Sequence, residues 1–225
     1  LLIPLSEIEY ATTLSLVPDG GKILSVDVAR FGDDETAFII LQKAAGGWHM
    51  RYLNAFKGQD TVQTAGRVME LSSEYFPDWI VIDDCGVGGG VSDMLRHRDF
   101  PNIVAFNSNE KSPDESFYSQ RDYCYWKLKK LFADRRIQII NDEKLKTQLS
   151  CVRFEYRPDG AKKIESKDKM KKKGFSSPDR ADALMMAMSA LDRAENVKSN
   201  EGHVYMPTPM VYRPRLHAKR PVYAV

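Results

Sequence analysis

Three apolar runs rich in β-branched and aromatic residues, 22–31, 36–42 and 48–56, follow one another with only GDDE and KAAGG between them. Such spacing predicts three strands joined as hairpins, hence an antiparallel sheet. The period then changes. Residues 60–76 (DTVQTAGRVMELSSEYF) open on Asp60 as a helix cap and place Val62, Ala65, Val68, Met69 and Phe76 at helical spacing. WIVID (79–83) reads as a buried strand, DCGVGGG as a turn, 91–98 as a short helix and NIVAF (102–106) as another strand. This alternation adds parallel strands to the hairpin sheet and lays helices on both faces, giving an α/β mixed sheet.

The remainder is mostly helical. ESFYSQRDYCYWKLKKLFAD (115–134) and NDEKLKTQLS (141–150) read as helices on either side of the apolar run IQII, and CVRFEYRPDGAKKIES (151–166) as a hairpin around RPDG. SSPDRADALMMAMSALDRA (176–194) predicts a last helix, capped by Ser177 with Pro178 at its first position. Residues 195–225 carry Pro207, Pro209, Pro214 and Pro221 among scattered basic residues, and read as a Pro-rich, basic C-terminal tail without its own core. With 225 residues, 43% hydrophobic and 28% charged, one domain at 21–194 accounts for the chain. The opening LLIPLSEIEYA lacks Met, so a piece of a longer polypeptide is expected. No apolar run reaches the ~18 residues of a membrane span, and no basic-then-apolar leader is present, so a cytoplasmic protein is expected. Cys85, Cys124 and Cys151 are widely separated and read as free thiols.

The chemistry lies in acids at unusual places. Asp27 sits inside an apolar strand, Asp83 with Asp84 ends the fourth strand, and Asp179 with Asp182 opens the last helix. A buried carboxylate is expensive unless a cation meets it. In a sheet whose first and fourth strands are neighbours, the first two acids approach each other and a helix across that edge adds a third. All-oxygen ligands of this kind suit Mg²⁺ or Mn²⁺, and two such ions activate water in phosphodiester hydrolysis. Each acid also has an ordinary reading: Asp27 paired with Arg30, Asp33 and Asp34 as turn residues, Asp83 or Asp84 as a loop cap, Asp179 as a first-turn acid favoured by the helix dipole. GVGGG matches no phosphate-loop pattern and reads as a turn allowing close backbone approach. Between 161 and 174 stand seven lysines against one Glu and one Asp, a local +5 within a chain of net +2. That run is either a solvated loop or a phosphate-contacting surface.

Together, SVDVARFGDDETA, VIDDCGVGGGVSDML and ESKDKMKKKGFSSPDRADALMMA resemble the three acidic motifs of the C-terminal nuclease domain of the large terminase subunit of tailed double-stranded DNA bacteriophages. The element order is that of the ribonuclease H-like fold. The resemblance implies a metal-dependent endonuclease that cuts concatemeric double-stranded DNA at initiation and termination of packaging, with two divalent ions, Mg²⁺ or Mn²⁺. It assigns Asp27, Asp83 and Asp179 as catalytic metal-binding acids, with Asp33, Asp84 and Asp182 as second choices. Lys162, Lys163, Lys167, Lys169, Lys171, Lys172 and Lys173 become the DNA-binding set. Residues 1–20 resemble the linker from an N-terminal ATPase domain of the same polypeptide. The portal protein and small terminase subunit are the further partners implied, no membrane is involved, and the place of action is the host cytoplasm. Two rival readings are another ribonuclease H-like nuclease or transposase, and a non-catalytic DNA-docking module.

Overall fold

The first strand organises the molecule, because its buried side chains enter two different cores in turn. A computed structural model describes residues 1–29, 34–86, 88–98, 100 and 102–195. Arg30, Asp33 and residues 196–225 of the expected tail lie outside the described residues. After α1 (Leu5–Thr13) come β1 (Pro18–Asp27), β2 (Glu35–Ala44) and β3 (Gly47–Lys57), paired antiparallel in sequence order. Then follow α2 (Thr61–Tyr75), β4 (Trp79–Asp83), α3 (Gly88–Arg96) and β5 (Ile103–Phe106). β4 runs parallel beside β1, and β5 parallel beside β4. The second half comprises α4 (Gln120–Ala133), β6 (Ile137–Gln138), α5 (Glu143–Cys151), a separate hairpin of β7 (Phe154–Tyr156) and β8 (Lys162–Ile164), then α6 (Lys167–Lys172), α7 (Asp179–Ala187) and α8 (Leu191–Glu195).

The main sheet has the order β5-β4-β1-β2-β3-β6, the mixed architecture expected from the sequence. Ile23, Ile39, Leu41 and Val81 face a core shared with α1, α4, α5, α7 and α8. Leu24, Val26, Phe38, Ile40, Ile80 and Ile82 face a second core under α2 and α3. Period two therefore puts Asp27, two residues beyond Ser25 and four beyond Ile23, on the α7 side. The same counting from Val81 puts Asp83 on that side too. α7 lies across β1 and β2, and its alanines, Leu184, Met185 and Met186 are all buried, as a helix apolar on every face requires.

Several expected boundaries shift for local reasons. Residues 115–119 are not helical: Ser119 caps α4 by accepting from the Asp122 amide, so the helix starts at Gln120. Asp60 caps α2 as expected, in a capping box with Gln63. Ser177 does not cap α7; its hydroxyl donates to Asp179 instead, and Pro178 is the N-cap residue. The helix expected at 176–194 breaks into α7 and α8. The lysine run divides between β8, which carries Lys162 and Lys163, and α6, capped by Ser166. IQII supplies β6, pairing with the edge of β3. Residues 1–20, expected as a linker, pack into the larger core through Leu2, Ile3, Ile8 and Ala11, with the Leu2 amide donating to the Val152 carbonyl at 2.9 Å.

One glycine of the GVGGG turn is indispensable to this arrangement. A Cβ on Gly88 would lie 1.6 Å from the Asp83 carbonyl oxygen. Gly88→Ala is therefore expected to destabilise the fold by about 3 kcal/mol and to displace the end of β4. Chemical denaturation checks it, and a loss below about 0.5 kcal/mol would show that the turn relaxes freely.

Candidate active site

At the C-terminal ends of β1 and β4, where Val26 pairs with Ile82, Asp27 and Asp83 stand side by side. They line a cleft of about 390 Å³ together with Asp182 of α7, Lys167 of α6, and Ser119 and Arg121 at the start of α4. Asp27 and Asp182 are buried, 4% and 2% exposed, and Asp83 is partly so. The side chains converge on one cation: Lys167 Nζ lies 2.8 Å from Asp182 Oδ2, 3.5 Å from Asp27 Oδ2 and 3.9 Å from Asp179 Oδ1. Asp27 Oδ2 is buried and accepts no hydrogen bond. Among the described residues no group of three or more His, Cys, Asp or Glu side chains is arranged to hold a metal ion as it stands. The ammonium holds the centre instead.

The electrostatics follow from this packing. Burial, with Asp182, Asp83 and Asp179 nearby, pushes the Asp27 carboxyl well above the ordinary carboxylate range, against the pull of Lys167. Burial also raises Asp83, where the Cys85 amide and Lys167 oppose it, and Asp179, where Ser177 and the Glu35 amide do. Asp182 goes the other way: burial disfavours its charge, but Lys167 and Arg121 outweigh burial and bring it down to about 2. Lys167 is held well above the usual ammonium value by the same acids, although burial pulls it down.

The family model of the terminase RNase H-like domain matches residues 24–191. The chain belongs to the terminase RNase H-like family. Among solved structures, the nuclease domain of the large terminase subunit of bacterial virus Sf6 aligns with a TM-score of 0.73 at 21% identity, covering 83% of this chain and 97% of that one. The large terminase nuclease of thermophilic phage G20c aligns at 0.60 and 18% identity, covering 82% and 97%. The HK97 bacteriophage large terminase aligns at 0.64 and 13% identity, covering 84% of this chain and 43% of that one. No curated protein matches the chain.

Within this terminase domain the acids expected from the sequence divide clearly. Asp27 and Asp83 reach the cleft. Asp84 is exposed on the other side of the strand end. Asp179, preferred over Asp182 from the sequence, has both oxygens engaged: Oδ1 by the Ser177 hydroxyl and Oδ2 by the Glu35 amide at 2.9 Å. It is Asp182, not Asp179, that lines the cleft. Asp33 lies outside the described residues.

The lysines divide as well. Lys169 pairs with Glu155 at 3.0 Å, Lys171 with Asp34 at 3.1 Å, and Lys173 with Glu165. Lys162 sits over Phe117 and Trp126, and Lys163 over Tyr118 at 4.4 Å from the ring centre, on the cleft wall. Lys172 is exposed. The local +5 is thus largely met within the chain. Lys167 was grouped with this surface set, yet it belongs to the acid cluster. Its signal was present: buried Met170 stands three residues on in the same helix, so Lys167 shares its inward face. Arg121 and Tyr125, which hold Asp182, were not singled out from the sequence at all.

Proposed function

We propose that this domain is a metal-dependent endonuclease that cuts concatemeric double-stranded DNA at the start and end of phage genome packaging. The observation that carries this reading is the convergence of buried acids from β1 and α7 on a single cation, with the half-buried Asp83 of β4 beside them, at one edge of the sheet. Four carboxylates gathered there repel one another, and a site built so is stable only around positive charge. Family membership supports the nuclease class, and related structures support a divalent ion: an Sf6 domain was solved with manganese in a lysine-to-alanine variant, and the G20c nuclease with magnesium.

The donor set fits hard divalent ions, being all carboxylate oxygen, with Asp27 Oδ2 lacking any hydrogen-bond donor. Asp27, Asp83 and Asp182 would hold two such ions, with Asp179 bracing the start of β2 and α7 rather than ligating. Bound there, divalent ions supply Lewis-acid charge for phosphodiester hydrolysis. The chain itself excludes bulk water from Asp27 and keeps Asp182 ionised. Lys163 lines the cleft with positive charge for the DNA backbone. An ATPase domain of the same polypeptide, the portal protein and the small terminase subunit are the proposed partners, in the host cytoplasm. Among the described residues no helix is long and apolar enough to cross a membrane.

Supercoiled plasmid with Mg²⁺ or Mn²⁺, beside an EDTA control, tests this reading. Nicked and then linear products that require metal are expected. Asp182→Asn should abolish them, while Asp179→Asn should slow them by about tenfold, as loss of a supporting contact does. The reverse ranking would return the ligand role to Asp179. Retardation of plasmid without cleavage under every condition would instead favour a DNA-docking module.

DNA affinity offers a separate check. Exposed ion pairs are weak, so Lys171 remains able to exchange its carboxylate for a phosphate, and Lys173 keeps an exposed ammonium against the buried Glu165. Neutralising Lys171, Lys172 and Lys173 together is expected to reduce the slope of log K against log salt by about 0.9 for each lysine on a phosphate. Fluorescence anisotropy with duplex DNA reads it, and an unchanged slope removes these residues from the interface.

A further inference from the structure

We propose that Tyr125 and Arg121 of α4 are positioning residues that orient Asp182, tying its Oδ1 back to the helix and leaving Oδ2 turned to Lys167 and the cleft. The inference rests on the metal-nuclease reading and adds to it the parts that hold one acid in place.

Residues 121 and 125 are one turn apart and share a face of α4. The Tyr125 hydroxyl donates to Asp182 Oδ1 at 2.6 Å, and Arg121 Nη2 donates to the same oxygen at 3.3 Å. The guanidinium also lies over the Tyr125 ring, 4.9 Å from its centre. Tyr125 is fully buried and Asp182 nearly so. Turning the carboxylate plane about its Cβ–Cγ bond, so that neither of its equivalent oxygens faced α4, would strand the buried Tyr125 hydroxyl and release the Arg121 guanidinium, and an unsatisfied buried donor is costly. The side chain is therefore locked in one orientation, with Oδ2 at 2.8 Å from the Lys167 ammonium.

The same helix end also holds the segment that bears Lys167. Arg121 Nη1 donates to the Glu165 carbonyl at 3.3 Å, and Asp122 Oδ1 accepts from the Ile164 amide at 2.7 Å. One turn of α4 thus fixes both the acid and the strap whose lysine faces it. A purely structural ion pair would need Arg121 and Asp182 alone. The short hydroxyl contact from Tyr125 is what points to control of the oxygen left over.

Tyr125→Phe removes that hydroxyl and keeps the ring. We would introduce it into Lys167→Ala protein, where the competing ammonium is gone, and titrate Mn²⁺ by the electron paramagnetic resonance signal of the free ion. Mn²⁺ affinity is expected to fall by about tenfold or more, the usual effect of removing a contact behind a ligand, with the melting temperature changed by a few degrees at most. In an Asp182→Asn background the same substitution should have no further effect on Mn²⁺. Arg121→Lys, which keeps the charge and loses the planar fork, should weaken Mn²⁺ binding in the same direction. Affinity within twofold of the parent in Tyr125→Phe, or an equal loss without Asp182, overturns the positioning role while leaving the nuclease reading intact. A Lys167→Ala protein that binds no Mn²⁺ overturns the metal reading and this inference with it.

Discussion

Asp27→Asn is expected to abolish cleavage and, at neutral pH, to raise the melting temperature. Cleavage should fall on the order of 10³-fold or more, since the central acid of a preorganised charge site is lost. The stability gain follows from the direction of the Asp27 shift. Burial first, then three neighbouring acids, raise its folded pKa above the unfolded value. For a carboxylate raised in this way, ionisation opposes folding, and the penalty grows as pH climbs from about 3.9 towards the folded pKa. Asparagine removes the penalty at almost the same volume. Lys167 keeps Asp182 at 2.8 Å as a partner, so no buried cation is stranded. Each kcal/mol relieved should raise the melting temperature by about 2–4 °C in a domain of this size. The advantage should shrink as pH falls towards 4. Asp182 acts with the opposite sign: depressed to about 2, its contribution is present above the ordinary carboxylate value and is lost as pH falls towards 2, in both proteins. Added Mg²⁺ should stabilise the wild type and leave the variant unmoved. Calorimetry beside a plasmid assay reads all of this. Full activity in Asp27→Asn, or a lower melting temperature at pH 7, would remove Asp27 from the centre of the site.

What the sequence made legible was set by how local each signal is. WIVID reads as a strand over 79–83 and is one, because an apolar run with a strand's length has no other home in an α/β chain. The order of the first five strands followed from hairpin spacing and alternation. Which of Asp83 and Asp84 faces Asp27 required the neighbouring residues: once Val81 and Ile82 are assigned to opposite cores, the choice is made. Asp179 against Asp182 was not readable. The two stand three residues apart in a helix buried on every side, so no polar face fixes its rotation, and only packing against β1 and β2 decides it. β6 was missed as a sheet strand because a two-residue parallel pairing with β3 leaves no periodicity. The lysine run illustrates the converse: its composition signals a solvated surface, whereas intrachain acids engage Lys167, Lys169, Lys171 and Lys173.

Lys167→Ala is expected to bind divalent ions more tightly than the wild type and, without them, to unfold at a lower temperature. Both effects have one origin. The Lys167 ammonium stands within 4 Å of Asp27, Asp179 and Asp182, in the space that a divalent ion must share. Metal binding therefore proceeds against three ion pairs, and an exchange that loses even about 1.4 kcal/mol weakens the apparent affinity tenfold. Removing the competitor should sharpen Mn²⁺ binding by about tenfold or more on that scale. Without metal, the variant leaves the acids facing one another with no charge between them, and breaking a buried pair by deleting one partner costs about 3–5 kcal/mol at full burial. Lys167 is partly exposed, so the loss should be smaller, yet still visible as several degrees in melting temperature. Saturating Mn²⁺ should restore the variant and shift it further than it shifts the wild type. Isothermal titration and thermal melts with and without Mn²⁺ separate the contributions. If the variant bound Mn²⁺ no better than the wild type, the ammonium would not compete for the metal position. If it lost no stability in EDTA, the acids would not depend on Lys167 for their balance, and the repulsion inferred at Asp27 would have to be relieved elsewhere.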